Sequence, residues 1–197
     1  MRIFDFLYSE LNEWTAHILR WFPGNFGVTL RYYYYKNILA GCGQKVTIQT
    51  GCYIRDCKNI LFGNGVGLGF YSQIYAAGKG NERIIIGDNV CLNSNVMINA
   101  DLGGRIEIGH HCIIGPNVVF RTSNHEFSSR EVPIREQGHR PGTIVVEDNV
   151  WIGANAAIIG NVTIGKGSIV GAGAVVIGDV DDFAIVVGVP AKQIGMR

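Results

Sequence analysis

The stretch that decides the fold runs from Val146 to Ile177 and reads VEDNVWIGANAAIIGNVTIGKGSIVGAGAVVI. An aliphatic residue returns at every sixth place: Val146, Ile152, Ile158, Ile164, Val170 and Val176. Glycine follows at Gly153, Gly165 and Gly171. A small or β-branched residue (Val150, Ala156, Val162, Ser168, Ala174) stands two places before the next aliphatic. A period of six matches neither the helical turn of about 3.6 residues nor the alternation of a long strand. It matches a parallel β-helix, in which each hexad makes one short strand and one corner, and three hexads close a triangular coil. On this reading the aliphatic points into the prism, the small residue fits the corner, and glycine tolerates the corner's backbone.

Upstream the same phase returns at Ile48 and Ile54, at Phe62, Leu68 and Ile74, at Ile86, Leu92 and Ile98, and at Ile108, Ile114 and Phe120. It slips at Ala77–Arg83 (AGKGNER) and at Leu102-Gly103-Gly104, and stops at Thr122. Ser123 to Gly142 hold His125, Pro133, His139 and Pro141 without periodicity and form one long excursion loop. Regular coils supply only a rigid wall, so chemistry is expected where regularity fails, in that loop. Downstream, Ile185–Lys192 (IVVGVPAK) breaks the phase and is expected to cap the last coil. The pattern totals about six coils, roughly 29 Å tall at ~4.8 Å per coil.

Ahead of the hexads, Ile3, Leu7, Leu11, Trp14, Ile18 and Trp21 have the spacing of an amphipathic helix, ended by Pro23-Gly24. Val28 to Leu39, containing Tyr32 to Tyr35, reads as a second, shorter helix. The fold class is therefore all-β with short N-terminal helices: residues 1–45 a helical segment capping the β-helix, residues 46–197 the β-helix domain with its loop 123–142. The helices have two candidate partners. One is the open end of the β-helix. The other is a membrane surface, met by Trp14, Trp21, Phe22 and the tyrosines flanked by Arg20, Arg31 and Lys36.

A net charge of +1 gives no electrostatic case for nucleic acid. The five cysteines (Cys42, Cys52, Cys57, Cys91, Cys112) lack zinc spacing, and an odd number suits a disulfide framework poorly. Cys52 and Cys112 fall on small corner positions and read as buried thiols, which suggests a reducing compartment. Arg2, Asp5, Glu10, Glu13 and Arg20 interrupt any secretory or spanning apolar segment. A cytoplasmic location is expected, with the inner face of the membrane as the site of any lipid contact.

From Ile106 to Ile194 the chain resembles the hexapeptide-repeat acyltransferases, in particular the galactoside and maltose O-acetyltransferase branch. The matching pieces, in order, are IEIGHHCIIGPNVVF, SNHEF, VEDNVWIGANAAIIGNVTIG, GAGAVV and GVPAK. The aromatic, basic start, with Pro23-Gly24 and Leu30-Arg31, is similar to O-acetyltransferases of surface-polysaccharide synthesis. The resemblance implies a homotrimer of left-handed β-helices with active sites between subunits. It also implies acetyl-CoA as donor, a sugar or glycan hydroxyl as acceptor, direct transfer and no metal.

His125 stands at the family's catalytic position and is the expected general base; imidazole, with an ordinary pKa of about 6.5, suits that task. His110 and His111 fall on corners and read as solvent residues, His17 belongs to the first helix, and His139 shares the loop without an assigned role. Asn95 and Asp101 match acceptor-binding positions, although Asn and Asp are also ordinary corner residues. Trp151 matches a conspicuous aromatic that walls the donor tunnel or packs between subunits. Gly153, Ala154, Gly171 and Ala172 match places where the donor meets the main chain, and Lys192 and Arg197 are expected to reach its phosphates. The chain departs from the family at Ile177-Gly178, where a hydroxyl residue and a basic one are usual; Lys166 is the candidate substitute. Asn161 replaces the glycine usual before Val-Thr-Ile-Gly and is expected to tolerate a left-handed backbone. The alternatives are N-acetylation of an amino sugar or other amine, a longer acyl donor, and a non-catalytic scaffold. Zinc-type carbonic anhydrase chemistry is disfavoured, because no histidines have its spacing.

Overall fold

The computed structural model describes residues 3–78, 80 and 82–197, with the side chains of residues 3–9 outside that description. Three parallel sheets wrap one hydrophobic core. The first face runs from Gly41–Cys42 to Val162–Ile164, and the third from Tyr53–Arg55 to Val175–Val176. The second begins at Thr47–Ile48 and ends with Ala184–Val187, on which Lys192–Met196 folds back antiparallel. The hexad aliphatics stack coil upon coil. Ile48, Leu68, Leu92, Ile114, Ile152, Val170 and Val186 form the ladder of the second face. Ile54, Ile74, Ile98, Phe120, Ile158 and Val176 form that of the third. All are buried. Each contributes about 1.5–3 kcal/mol by leaving water, which is why a six-residue spacing sets the fold.

Two details of the repeat differ from the sequence reading. The small residues Val150, Ala156, Val162, Ser168 and Ala174 are buried too, so each hexad sends two side chains inward. The glycine after the aliphatic is needed for close approach, not for handedness: a Cβ on Gly153 would stand 2.6 Å from the Ala172 nitrogen of the next coil. The left-handed backbone falls two places later, at Asn155 (φ 60°), Gly167 (φ 66°) and Gly173 (φ 70°). Asn161 is likewise not left-handed. Gly160 takes that conformation (φ 84°), while Asn161 Oδ1 accepts a hydrogen bond from the Thr143 N–H at 2.6 Å.

The interruptions ahead of the tail fall on one edge of the prism, where the chain passes from the third face to the first: at 56–59, between Tyr75 and Arg83, at 100–104 and at 122–142. The first coil begins at Gly41–Cys42, which pairs with Leu61-Phe62, inside the segment expected to be helical.

The helices are α1, Ile3–Trp21, and α2, Gly24–Ile38. Pro23 caps α2 in extended conformation, so α2 starts earlier than the expected Val28. Tyr35 and Leu39 join the core with Val46, Ile48 and Ile54, and α2 closes the first coil. Arg31 is fully buried. Its Nε donates to the Ile48 carbonyl (2.8 Å), and its Nη1 to those of Leu19 (2.8 Å) and Phe22 (2.7 Å). This buried side chain therefore lies within the fold, not on the lipid-facing flank the sequence suggested. The apolar stripe of α1 is not buried: Leu11, Trp14 and Ile18 are 66%, 69% and 60% exposed. Ile3 and Leu7, the start of that stripe, have side chains outside the described residues. Among the described residues no helix is long and apolar enough to cross a membrane. All five cysteines are free; Cys52 and Cys112 are buried, their thiols donating to the carbonyls of Gly69 and Glu147, each at 3.1 Å.

Candidate active site

The long excursion is a built hairpin, not an irregular loop. Asn124–His125 pairs antiparallel with His139–Arg140, which sets His125 directly opposite His139. The two exposed imidazoles lie with ring centroids 4.1 Å apart and planes tilted by 41°. The Glu126 N–H donates to the Gly138 carbonyl (3.0 Å), and the Arg140 guanidinium grips the Glu126 carboxylate through Nε and, at 2.8 Å, Nη2. That hydrogen bond holds the Glu126 carboxyl below its ordinary range. Beyond it, Gln137 accepts from the Ser129 N–H (2.9 Å) and donates to the carbonyls of Ser129 (3.0 Å) and Val132 (2.7 Å). At the root Thr122 is buried and donates to the Asn99 carbonyl (3.3 Å) of the coil below. Gly104 leaves the room, since a Cβ there would collide with the Thr122 hydroxyl.

Most of the candidate residues divide between the two edges that flank the third face. At the edge between the second and third faces, Gly153-Ala154 and Gly171-Ala172 lie one above the other, as the pairing of Ile152 with Val170 requires. Trp151, 53% exposed on the second face, stands beside them between Ile113 and Ile169. Lys192 reaches the same edge, because it pairs with Val187, which packs on Gly171. Asn95 is also there, left-handed at φ 58°, and donates to Asn117, which donates in turn to Asn155 (2.9 and 3.0 Å). Its side chain is thus one rung of a corner ladder.

His125 and Asp101 occupy the opposite edge. Asp101 accepts from the Ala77 N–H (2.6 Å) and the Asn99 side chain (3.4 Å), bracing the loop beneath the hairpin. Arg197 lies at the third edge, between the first and second faces, where it donates to the Gly167 carbonyl (3.4 Å). Lys166 shares that edge, its N–H donating to Glu147 and Asp182, away from Ile177-Gly178. One chain therefore does not bring base, donor residues and all candidate phosphate contacts together. His110 is more than a solvent residue: its Nδ1 accepts the Asp88 N–H at 3.0 Å. Among the described residues no group of three or more His, Cys, Asp or Glu could hold a metal ion. The sequence reading missed the Glu126–Arg140 clamp and the pairing of His139 with His125. The signal was a His-Glu and a His-Arg pair flanking a turn-rich segment closed by Gly138.

A six-coil parallel solenoid with one edge of loops, the longest presenting a histidine, defines the class: a hexapeptide-repeat β-solenoid. A family model described as bacterial transferase hexapeptide (six repeats) matches residues 143–178. The chain is 32% identical over 154 residues, 75% of this chain and 76% of the relative, to a protein of Escherichia coli K12 named putative lipopolysaccharide biosynthesis O-acetyl transferase. It is 31% identical over 122 residues to a galactoside O-acetyltransferase of Lactococcus lactis, a match covering 61% of this chain and 56% of the relative's length. Among solved structures it is similar to AntD, an N-acyltransferase of Bacillus cereus in complex with dTDP-4-amino-4,6-dideoxyglucose and coenzyme A. That likeness has a TM-score of 0.73 and 25% identity, and covers 85% of this chain and 88% of that one. The chain belongs to the hexapeptide-repeat acetyltransferase family, a family of acyl-group transferases.

Proposed function

We propose that the protein is an acetyl-CoA-dependent O-acetyltransferase acting on a sugar hydroxyl in surface-polysaccharide or glycan modification. The observation that carries this reading is His125, held exposed on a clamped hairpin beside a rigid wall, in a chain of this family. His125 takes the acceptor's hydroxyl proton while that oxygen attacks the thioester carbonyl. A backbone amide near Ala154 stabilises the tetrahedral oxyanion. The C–S bond then breaks, and the CoA thiolate leaves with the proton returned by the imidazole. The donor lies along Trp151, Gly153-Ala154 and Gly171-Ala172, with Lys192 toward its phosphates, while Arg197, on another edge of the prism, does not reach that wall; Asp101, on the edge that carries His125, faces the acceptor, and Asn95 belongs to the corner ladder of the donor edge. Because base and donor residues occupy different edges of one chain, the reading places the site between subunits of a homotrimer, His125 of one chain facing the donor edge of the next. The exposed stripe of α1 supports peripheral contact with the inner face of the membrane by a cytoplasmic enzyme.

The likeness to AntD, an N-acyltransferase, favours a second reading, transfer to an amino sugar. Calorimetry with acetyl-CoA, followed by turnover on the hydroxyl and amine forms of one sugar, tests both. Wild type and His125→Ala are expected to bind acetyl-CoA equally, with turnover in the variant lower by on the order of 10²–10⁴ and the hydroxyl form preferred. Unchanged turnover in the variant removes His125 as base. Preference for the amine moves the reading to N-acylation, and no acetyl-CoA binding removes the donor.

A further inference from the structure

We propose that His139 is a positioning residue for His125: its imidazole lies against the His125 ring and fixes that ring's orientation. The inference rests on the reading of His125 as the base. The backbone does the first part of the work. His125 and His139 are direct cross-strand partners, and the Glu126–Gly138 hydrogen bond and Arg140–Glu126 ion pair lock the register beside them. What remains free in His125 is rotation about its side-chain bonds, which an exposed ring samples in picoseconds to nanoseconds. A base must instead hold one nitrogen toward the acceptor hydroxyl, because small misplacements of a catalytic group are amplified in rate.

A histidine base is usually oriented by a carboxylate or carbonyl that accepts its second N–H. His125 has no such partner: among the described residues neither imidazole makes a side-chain hydrogen bond. The ring of His139 lies against that of His125, with centroids 4.1 Å apart. The contact runs through the rings and not through a shared proton, so a flat ring, not a titrating group, is what position 139 must supply. Either ring nitrogen of His125 stays open to the acceptor.

The test compares His139→Ala, His139→Phe, His139→Asn and His125→Ala, using acetyl-CoA with methyl β-galactoside and with glucosamine. His139→Ala is expected to lower kcat ~10- to 100-fold while leaving the KM for acetyl-CoA and the thermal unfolding midpoint unchanged. Phe should restore most of the loss and Asn should not. Independently of activity, the His125 Cε1–H proton resonance should move in His139→Ala, which lacks the ring current, and stay shifted in His139→Phe. Wild-type kcat in His139→Ala, a Phe variant as impaired as Ala, or an unmoved resonance overturns the inference while leaving the base assignment standing. Full turnover in His125→Ala overturns the parent reading instead.

Discussion

Among the described residues Arg31 is buried without a carboxylate partner, and three backbone carbonyls do the work of a counter-ion. Two of them, from Leu19 and Phe22, end α1, where carbonyls lack partners inside the helix; the third, from Ile48, belongs to the first coil. The side chain thus caps one helix and ties it to the solenoid. Burial lowers the Arg31 pKa, and its Nη2 has no partner among the described residues, so the arrangement already bears a desolvation cost. Only a planar guanidinium spans the three acceptors; a lysine is a single point charge. Arg31→Met strands the Ile48 and Phe22 carbonyls, each worth about 1–3 kcal/mol when left unmet, while that of Leu19 keeps the Phe22 N–H at 3.2 Å. A loss of about 3 kcal/mol is expected, lowering the unfolding midpoint by roughly 6–12 °C for a domain of this size, with Arg31→Lys recovering less than half. Circular dichroism melts check this; a methionine variant melting with wild type would show the clamp dispensable. In the sequence Arg31 reads as one of several basic residues beside tyrosines, because spacing reports a face of a helix and not which carbonyls converge on it.

The helical cap and the hairpin show what periodicity reveals of an element and what it hides. The helices are legible from their spacing and from Pro23-Gly24, yet which face is buried is not: Tyr35 and Leu39 enter the core while Trp14 and Ile18 stay exposed. The hairpin is hidden for another reason. Its strands are polar and exposed and its order comes from hydrogen bonds and an ion pair, so there is no apolar alternation to read. The first coil and the helix that closes it also carry a pH signature. Burial pushes the thiols of Cys52 and Cys57 up to about 11 and raises the Tyr35 hydroxyl well above its ordinary value. These acids keep their protons in the folded chain, while an unfolded thiol loses its own near 9.0. The unfolded state thus binds fewer protons at alkaline pH, and stability falls as pH rises. The contribution is whole below about pH 9 and is lost as pH climbs toward about 11. Unfolding midpoints from pH 8 to pH 10.5 should fall, and the double variant Cys52→Ala, Cys57→Ala should flatten the fall; an unchanged slope in that variant assigns it elsewhere.

At the scale of the molecule, counting hexads assigns nearly every residue its coil and face, because each error of one place would turn a buried ladder outward. That is how Gly153 and Gly171 can be stacked from the sequence alone, and why the length of each slip locates the loop edge. The same count sets His125 after the third-face rung Phe120 and Gly153 after the second-face rung Ile152, so the base and the donor residues end on opposite edges of the third face. That separation has a consequence for assembly. If each site of the proposed trimer takes His125 from one chain and the donor edge from the next, two inactive variants can complement each other. His125→Ala keeps the donor edge. Ala172→Trp, at an exposed position the fold can spare, blocks the donor edge and keeps the histidine. In trimers assembled at random from equal amounts, about a quarter of the sites draw both intact halves. Co-expressed chains should therefore regain up to about a quarter of wild-type turnover, where either variant alone has almost none. A mixture as inactive as its components would place base and donor within the same chain.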